Sequence, residues 1–166
     1  MFLVFRILLI SFLSLGIFAE DSSEDVADDL IEACMKGDIK SVKQHLANGV
    51  KVNAKTGSGK TPNRTAIMWA ASRGKKEIVR LLIENGAEIN SKDDWKGNTT
   101  RPEGTEGWTE IIFAADSDHE EVVEILIEGG ADVNIKSKSG ITALSLAKLW
   151  KNEEMIKMLK RAGAKE

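Results

Sequence analysis

The chain has 166 residues, of which 42% are apolar and 30% charged, a composition that fits one soluble globular domain. Its formal net charge of -3 at pH 7 argues against nucleic acid and anionic membrane surfaces as partners. A single cysteine, Cys34, excludes an intrachain disulfide.

Met1–Ala19 is apolar apart from Arg6 and two serines. Its dense apolar run, Ile7–Phe18, is short for a membrane span, and acidic sequence follows at once. These features read as a secretory signal peptide cleaved after Ala19; an uncleaved N-terminal anchor is the rival. Losing Arg6 with the leader takes the formal charge from -3 to -4. The mature chain is therefore expected to be exported, periplasmic or secreted, with no stable membrane insertion after cleavage. Residues 20–25 form a flexible acidic lead-in.

Apolar residues at helical spacing then predict paired helices along the chain. The first pair covers Ala27–Met35 and Ile39–Leu46. Thr65–Asn90 carries a second, with Ala70-Ala71, Gly74, Ile78-Val79, Leu81-Leu82 and Gly86-Ala87. Gly107–Asn134 carries the clearest copy, where Ile111, Ile112, Ala114 and Ala115 are followed by Val122, Val123, Ile125, Leu126 and Ile127. Gly129-Gly130 ends that copy, where a left-handed residue is needed. A step of 33 residues from Gly107 reaches Gly140 and the pattern returns: Thr142, Ala147, Ile156, Leu159 and Gly163-Ala164 match Thr109, Ala114, Val123, Leu126 and Gly130-Ala131. Such a pair cannot bury its apolar surface alone and needs a neighbour of the same shape.

On these residues the chain resembles the ankyrin-repeat family over about Val26 to Ala164. The resemblance implies an all-α fold: an α-solenoid of four repeats, at about 26–55, 63–92, 107–136 and 140–166, with β-hairpin fingers between them. The family's T-P-L-H tetrad reads Thr65-Ala66-Ile67-Met68, Thr109-Glu110-Ile111-Ile112 and Thr142-Ala143-Leu144-Ser145, so its histidine is missing from each. Polar replacements at both ends (Gln44 and His45 in the first copy, Lys148 and Lys160 in the last) fit terminal repeats with one face in water, and the array is expected to be complete. Two connections exceed the period. Lys55–Asn63 holds four extra residues, and the insertion at 91–106 holds eleven. Insertions in solenoids map to one face, often the binding face.

The sequence offers little chemistry. Ala54–Thr61, AKTGSGKT, resembles a nucleotide-binding P-loop, but a repeat terminus precedes it and Pro62 follows. A hairpin tip is the plainer reading, with nucleotide binding through Lys60 and Thr61 as the alternative function. His45 and His119 have no further ligand at metal spacing, and no catalytic constellation is present. His119 stands where the family commonly has a helix-start histidine. Asp93-Asp94 and Asp116–Asp118 read as solvated loop charges, and Cys34 as a core thiol.

Trp69 shares its register with Phe113 and Leu146 and is expected in the core. Trp95, Trp108 and Trp150 occupy places that the family leaves variable, facing the concave side and finger tips; they read either as binding anchors or as local packing of the long finger on its neighbour. The expected function is non-catalytic protein binding by a monomer, with Arg64, Arg73, Trp95, Trp108, Asp116 and Trp150 as binding residues and no cofactor or metal. An inhibitor or immunity-type partner of an exported enzyme is a further alternative.

Overall fold

The apolar spacing becomes helix, and each short turn between helices reverses the chain so that neighbours pack side by side. The computed structural model describes residues 23–55, 64–94 and 106–165. They form α1 (Ser23–Lys36), α2 (Ile39–Ala47), α3 (Ala66–Ser72), α4 (Lys76–Glu84), α5 (Glu110–Asp116), α6 (Glu120–Glu128), α7 (Ala143–Leu149) and α8 (Glu153–Arg161). Consecutive helices pair as α1·α2, α3·α4, α5·α6 and α7·α8. The first members stack in a row, α1·α3·α5·α7, and the second members in another, α2·α4·α6·α8.

The first row is held close by small residues. Ala33-Cys34, Ala70-Ala71 and Ala114-Ala115 are all buried, as is Ala147. Ala, with no side chain beyond Cβ, lets helices pack tightly, and larger residues around it fill the core. Ile67, Met68, Ile111, Ile112 and Leu144 supply that volume. Cys34 belongs to this packing, and burial pushes its thiol up to about 12. The second row is amphipathic. It buries Ile78, Val79 and Leu82 in α4, Val122, Val123, Ile125 and Leu126 in α6, and Met155 and Leu159 in α8. In α2 only Val42 is buried, consistent with the polar character of the first copy.

The turn inside each pair needs a left-handed residue. Gly74 supplies it at φ 66°, and a Cβ there would lie 2.8 Å from the His119 ring. His119, the residue before α6, thus fills a structural place against the preceding pair. Gly130, at φ 95°, takes the left-handed place after α6.

Between pairs, no β-strand forms among the described residues. There is one isolated antiparallel bridge, Lys55 to Thr65, and a few single bonds such as Lys138 N–H to Glu106 O at 3.0 Å. A recurring asparagine does the tying. Asn53 accepts from the Glu88 N–H (2.8 Å) and donates to Gly86 O (3.5 Å). Asn90 does the same to Asp132 (2.7 Å) and Gly130 (3.4 Å), and Asn134 to Lys165 (2.8 Å) and Gly163 (3.1 Å). Each asparagine therefore brackets the far end of the pair that follows it.

The missing tetrad histidine has a visible consequence. Its places hold Met68, Ile112 and Ser145, and the buried hydroxyls of Thr65 and Thr109 have no hydrogen-bond partner among the described residues. Thr142 instead forms a reciprocal capping box with Ser145.

Ala114→Leu tests the close approach. Ala114 is fully buried in the row, so the added atoms should overpack it and cost about 1–3 kcal/mol, read as a lower urea midpoint. An unchanged midpoint would place the side chain outside the row.

Candidate interaction face

Of the six residues singled out from the sequence, the five that are described separate into two groups. Arg64 and Trp108 lie inside. Trp95 and all of 95–105 fall outside the described residues, as do 56–63, which include Lys60 and Thr61. Arg73, Asp116 and Trp150 lie along the ends of the first-row helices.

Arg64 immediately precedes Thr65 and is 8% exposed. Its guanidinium carbon sits 4.0 Å from the Phe113 ring centroid and 4.8 Å from that of Trp69. Its Nε is 3.7 Å from Asp93 Oδ2, a buried ion pair across the seam between the second and third helix pairs. Asp93 Oδ1 in turn accepts the Trp108 N–H at 2.9 Å, and the Asp93 N–H donates to Trp108 O at 2.9 Å. Trp108 leans on Phe113 with centroids 5.3 Å apart and an interplanar angle of 56°. Trp69, half-buried, packs against this core as its register with Phe113 requires.

Trp108 thus follows the local-packing alternative and not the role of an exposed binding residue. The ring is 5% exposed because Asp93 pins its backbone and Phe113 receives its face. Arg64 is corrected likewise: its charge is used inward. Asp93, read as a solvated loop charge, is 2% exposed and joins the roots of both long connections. Lys55 and Asp94, 3.9 Å apart, lie at the same roots.

The exposed group has a regular arrangement. Lys36, Arg73, Ser117 and Trp150 hold one register place at the C-terminal ends of α1, α3, α5 and α7, and Met35, Ser72, Asp116 and Leu149 hold the place before it. Arg73 is exposed and Asp116 half-buried. Leu149 is 66% and Trp150 55% exposed, where the other copies of the same two places carry mainly polar residues. Below them, the Asn152 amide donates to Asp118 Oδ1 (2.6 Å) and Glu120 Oε1 (2.7 Å), fixing the last turn against its neighbour.

One further ionisable group is buried. Glu110 is 1% exposed at the start of α5, and burial pushes its carboxyl up to about 7. No group of three or more His, Cys, Asp or Glu among the described residues could hold a metal ion. No helix among them is long and apolar enough to cross a membrane.

Comparison with known proteins gives a consistent set of likenesses. The family model described as ankyrin repeats (3 copies) matches residues 30–136 and again 95–165. A serine/threonine-protein kinase 12 from Arabidopsis thaliana is 30% identical over 79 residues, 48% of this chain and 16% of the kinase. The palmitoyltransferase AKR1 of Eremothecium gossypii is 33% identical over 60 residues, 36% of this chain and 8% of that protein. An acyl-CoA-binding domain-containing protein 1 from Arabidopsis thaliana is 28% identical over 72 residues, 43% of this chain and 20% of that protein. The chain thus spans a fifth or less of the length of each of these relatives.

The buried cluster makes a definite expectation for stability. Trp108→Ala should cost about 3–5 kcal/mol, as large buried aromatics do. Arg64→Ala should cost a similar amount, about 3–5 kcal/mol, because it strands the Asp93 carboxylate. Arg64→Lys should recover little of it, since an ammonium lacks the flat face that stacks on Phe113 and Trp69. Urea unfolding of the three variants checks this; wild-type midpoints would return both side chains to the surface.

Proposed function

The chain belongs to the ankyrin-repeat family, and we propose that it is a non-catalytic protein-binding module of four such repeats, exported after loss of its leader. Ankyrin repeats are a protein–protein interaction module, and the enzymatic relatives match this chain over only a small part of their length. The partner is a protein, taken by a monomer along the ends of the first-row helices and the neighbouring connections. A stacked array presents preset side chains, which lowers the ordering cost of association.

The observation that supports this reading is Leu149-Trp150. Both rings and branches stand in water at places where the fold does not need them apolar. Uncovered apolar area of this kind forfeits roughly 1.5–3 kcal/mol per large side chain, which a partner recovers by covering it. Trp is also enriched among residues that dominate binding energy. Arg73 and Asp116 flank the same row and supply charge of both signs, and Trp95 belongs to the longest insertion. Arg64 and Trp108, buried before the opposite ends of α3 and α5, contribute through the fold and not by contact.

The test is to capture the partner with the tagged mature chain from the native compartment and then compare variants quantitatively. Trp150→Ala should weaken binding by about 2 kcal/mol or more. Its melting should move by less than about 0.5 kcal/mol in stability, as for an exposed position. A variant that binds as wild type would move the binding surface elsewhere, most simply to the second-row helices.

Export has its own readout. N-terminal sequencing of the protein from its native source should begin at Glu20, because the apolar run ends and acidic sequence begins there. A retained Met1 would overturn cleavage.

A further inference from the structure

The second place of the tetrad holds Ala66 and Ala143 in two copies and Glu110 in the third. The sister alanines are 0% and 1% exposed, so this fold is satisfied by a methyl group there. Glu110 puts a carboxyl in the same buried place. Its Oε2 accepts the Asn90 N–H at 3.1 Å, and its Oε1 has no hydrogen-bond partner among the described residues. Asn90 is one of three non-glycine residues with positive φ among the described residues, at 77°. The Asn90 side chain is the bracket that holds Gly130 and Asp132 at the end of the third pair. One residue is therefore gripped by the carboxyl through its backbone and grips the next pair through its amide.

We propose that Glu110 is a proton-controlled pin in the seam between the second and third helix pairs: a proton removes an uncompensated buried charge and stabilises the packed seam, and losing it destabilises the seam. This direction holds even though the Asn90 N–H bonds a carboxylate more strongly than a carboxylic acid.

No charged side chain in the surroundings offsets the burial of the carboxyl. α3 has no ionisable side chain, and the single one of α7, Lys148, is exposed. On α6, Glu120 is engaged with Asn152, Glu121 with Lys76 and Glu128 with Arg80, while Glu124 is exposed. In the segments leading into α5 and α3, Asp93 is paired with Arg64, Glu106 with Lys138 and Lys55 with Asp94. Lys92 donates to Lys136 O, and Glu88 and Asp132 are exposed. Burial is the largest cause of the upward displacement of Glu110, opposed by hydrogen bonds from its own N–H and that of Asn90, and no charged side chain contributes.

The direction follows from that. The carboxyl ionises near 4.5 when unfolded and near 7 when folded. Between those values the folded chain keeps a proton that the unfolded chain has released. Stability is then fullest below about pH 4.5, falls as pH rises towards 7, and levels off above. A buried charge with one oxygen unpartnered is the physical cost. The proposal is independent of the identity of any partner.

The experiment compares the mature chain with Glu110→Gln, a neutral isostere, and with Glu110→Ala, which copies Ala66 and Ala143. Urea unfolding at pH 5 to 8 should show the wild-type folding equilibrium falling, relative to either variant, by on the order of 100-fold. Amide exchange of Asp132, compared at equal pH so that intrinsic rates cancel, should be faster in wild type than in Glu110→Gln at pH 8 and alike at pH 5. Carbon NMR of the Glu110 carboxyl should titrate near neutrality. Parallel pH profiles for all three proteins would overturn the pin, as would a Glu110 titration at ordinary carboxylate pH. If Glu110→Gln does not fold, Glu110→Ala carries the same comparison.

Discussion

The close approach of first-row helices is the constraint on which the other features depend. The small pairs Ala33-Cys34, Ala70-Ala71 and Ala114-Ala115 let backbones come near enough for Ile, Leu and Met around them to form one continuous core. Each helix pair is apolar towards the pairs it packs against, so no pair has a complete core of its own. Stability in such an array is approximately a sum over adjacent units, and a fault in one seam is felt first by its two members. The surface ion pairs of the second row, Lys76–Glu121 and Arg80–Glu128, cross the same seam as the Arg64 cluster. Exposed pairs of this kind contribute little. The buried Arg64, Asp93, Trp108 and Phe113 group sets that seam instead.

Much of the helical architecture was legible in the sequence, because repetition supplies several independent readings of one pattern. The Ala pairs, the glycine turns and the second-row apolar stripe recur in register, and the helices fall where that register places them, except that α1 already begins at Ser23, inside the stretch expected to be a flexible lead-in. What local pattern could not reveal was a contact made across an insertion. Trp108 reads as a candidate binding anchor because the repeat pattern fixes no packing duty for it; its partners are Asp93, at the far root of the insertion, and Phe113 in its own helix pair. Arg64 reads as a binding residue because its counter-ion lies in the insertion and one of its two aromatic rings in another helix pair. Register alone carried one unused signal: a glutamate at 110 opposite alanines at 66 and 143 marks a buried acid before any coordinates are known.

The candidate face shows the reverse. Leu149 and Trp150 stay in water although the sequence around them is that of a regular repeat. Their positions end a first-row helix, where the neighbouring copies carry mainly charged and hydroxyl side chains. The fold therefore sets where those side chains stand without dictating what they are. Function in repeat proteins is written at such places, and no periodicity can predict their content.

The asparagine brackets have a consequence for how such a chain can change. The residues joined by Asn53, Asn90 and Asn134 are 33, 40 and 29 apart in sequence, and the excess in the first two equals the four and eleven inserted residues. The bracket geometry is alike in all three. Spatial register is thus set by the hydrogen bonds and not by the length of chain between them, and each doubling of a loop adds only about 0.6 kcal/mol of closure cost. The connections after Asn53 and Asn90 are in effect exchangeable cassettes. Outside the buried roots at Arg64 and Asp93, their length and composition can drift or be replaced while the helical frame, read from bracket to bracket, keeps its phase.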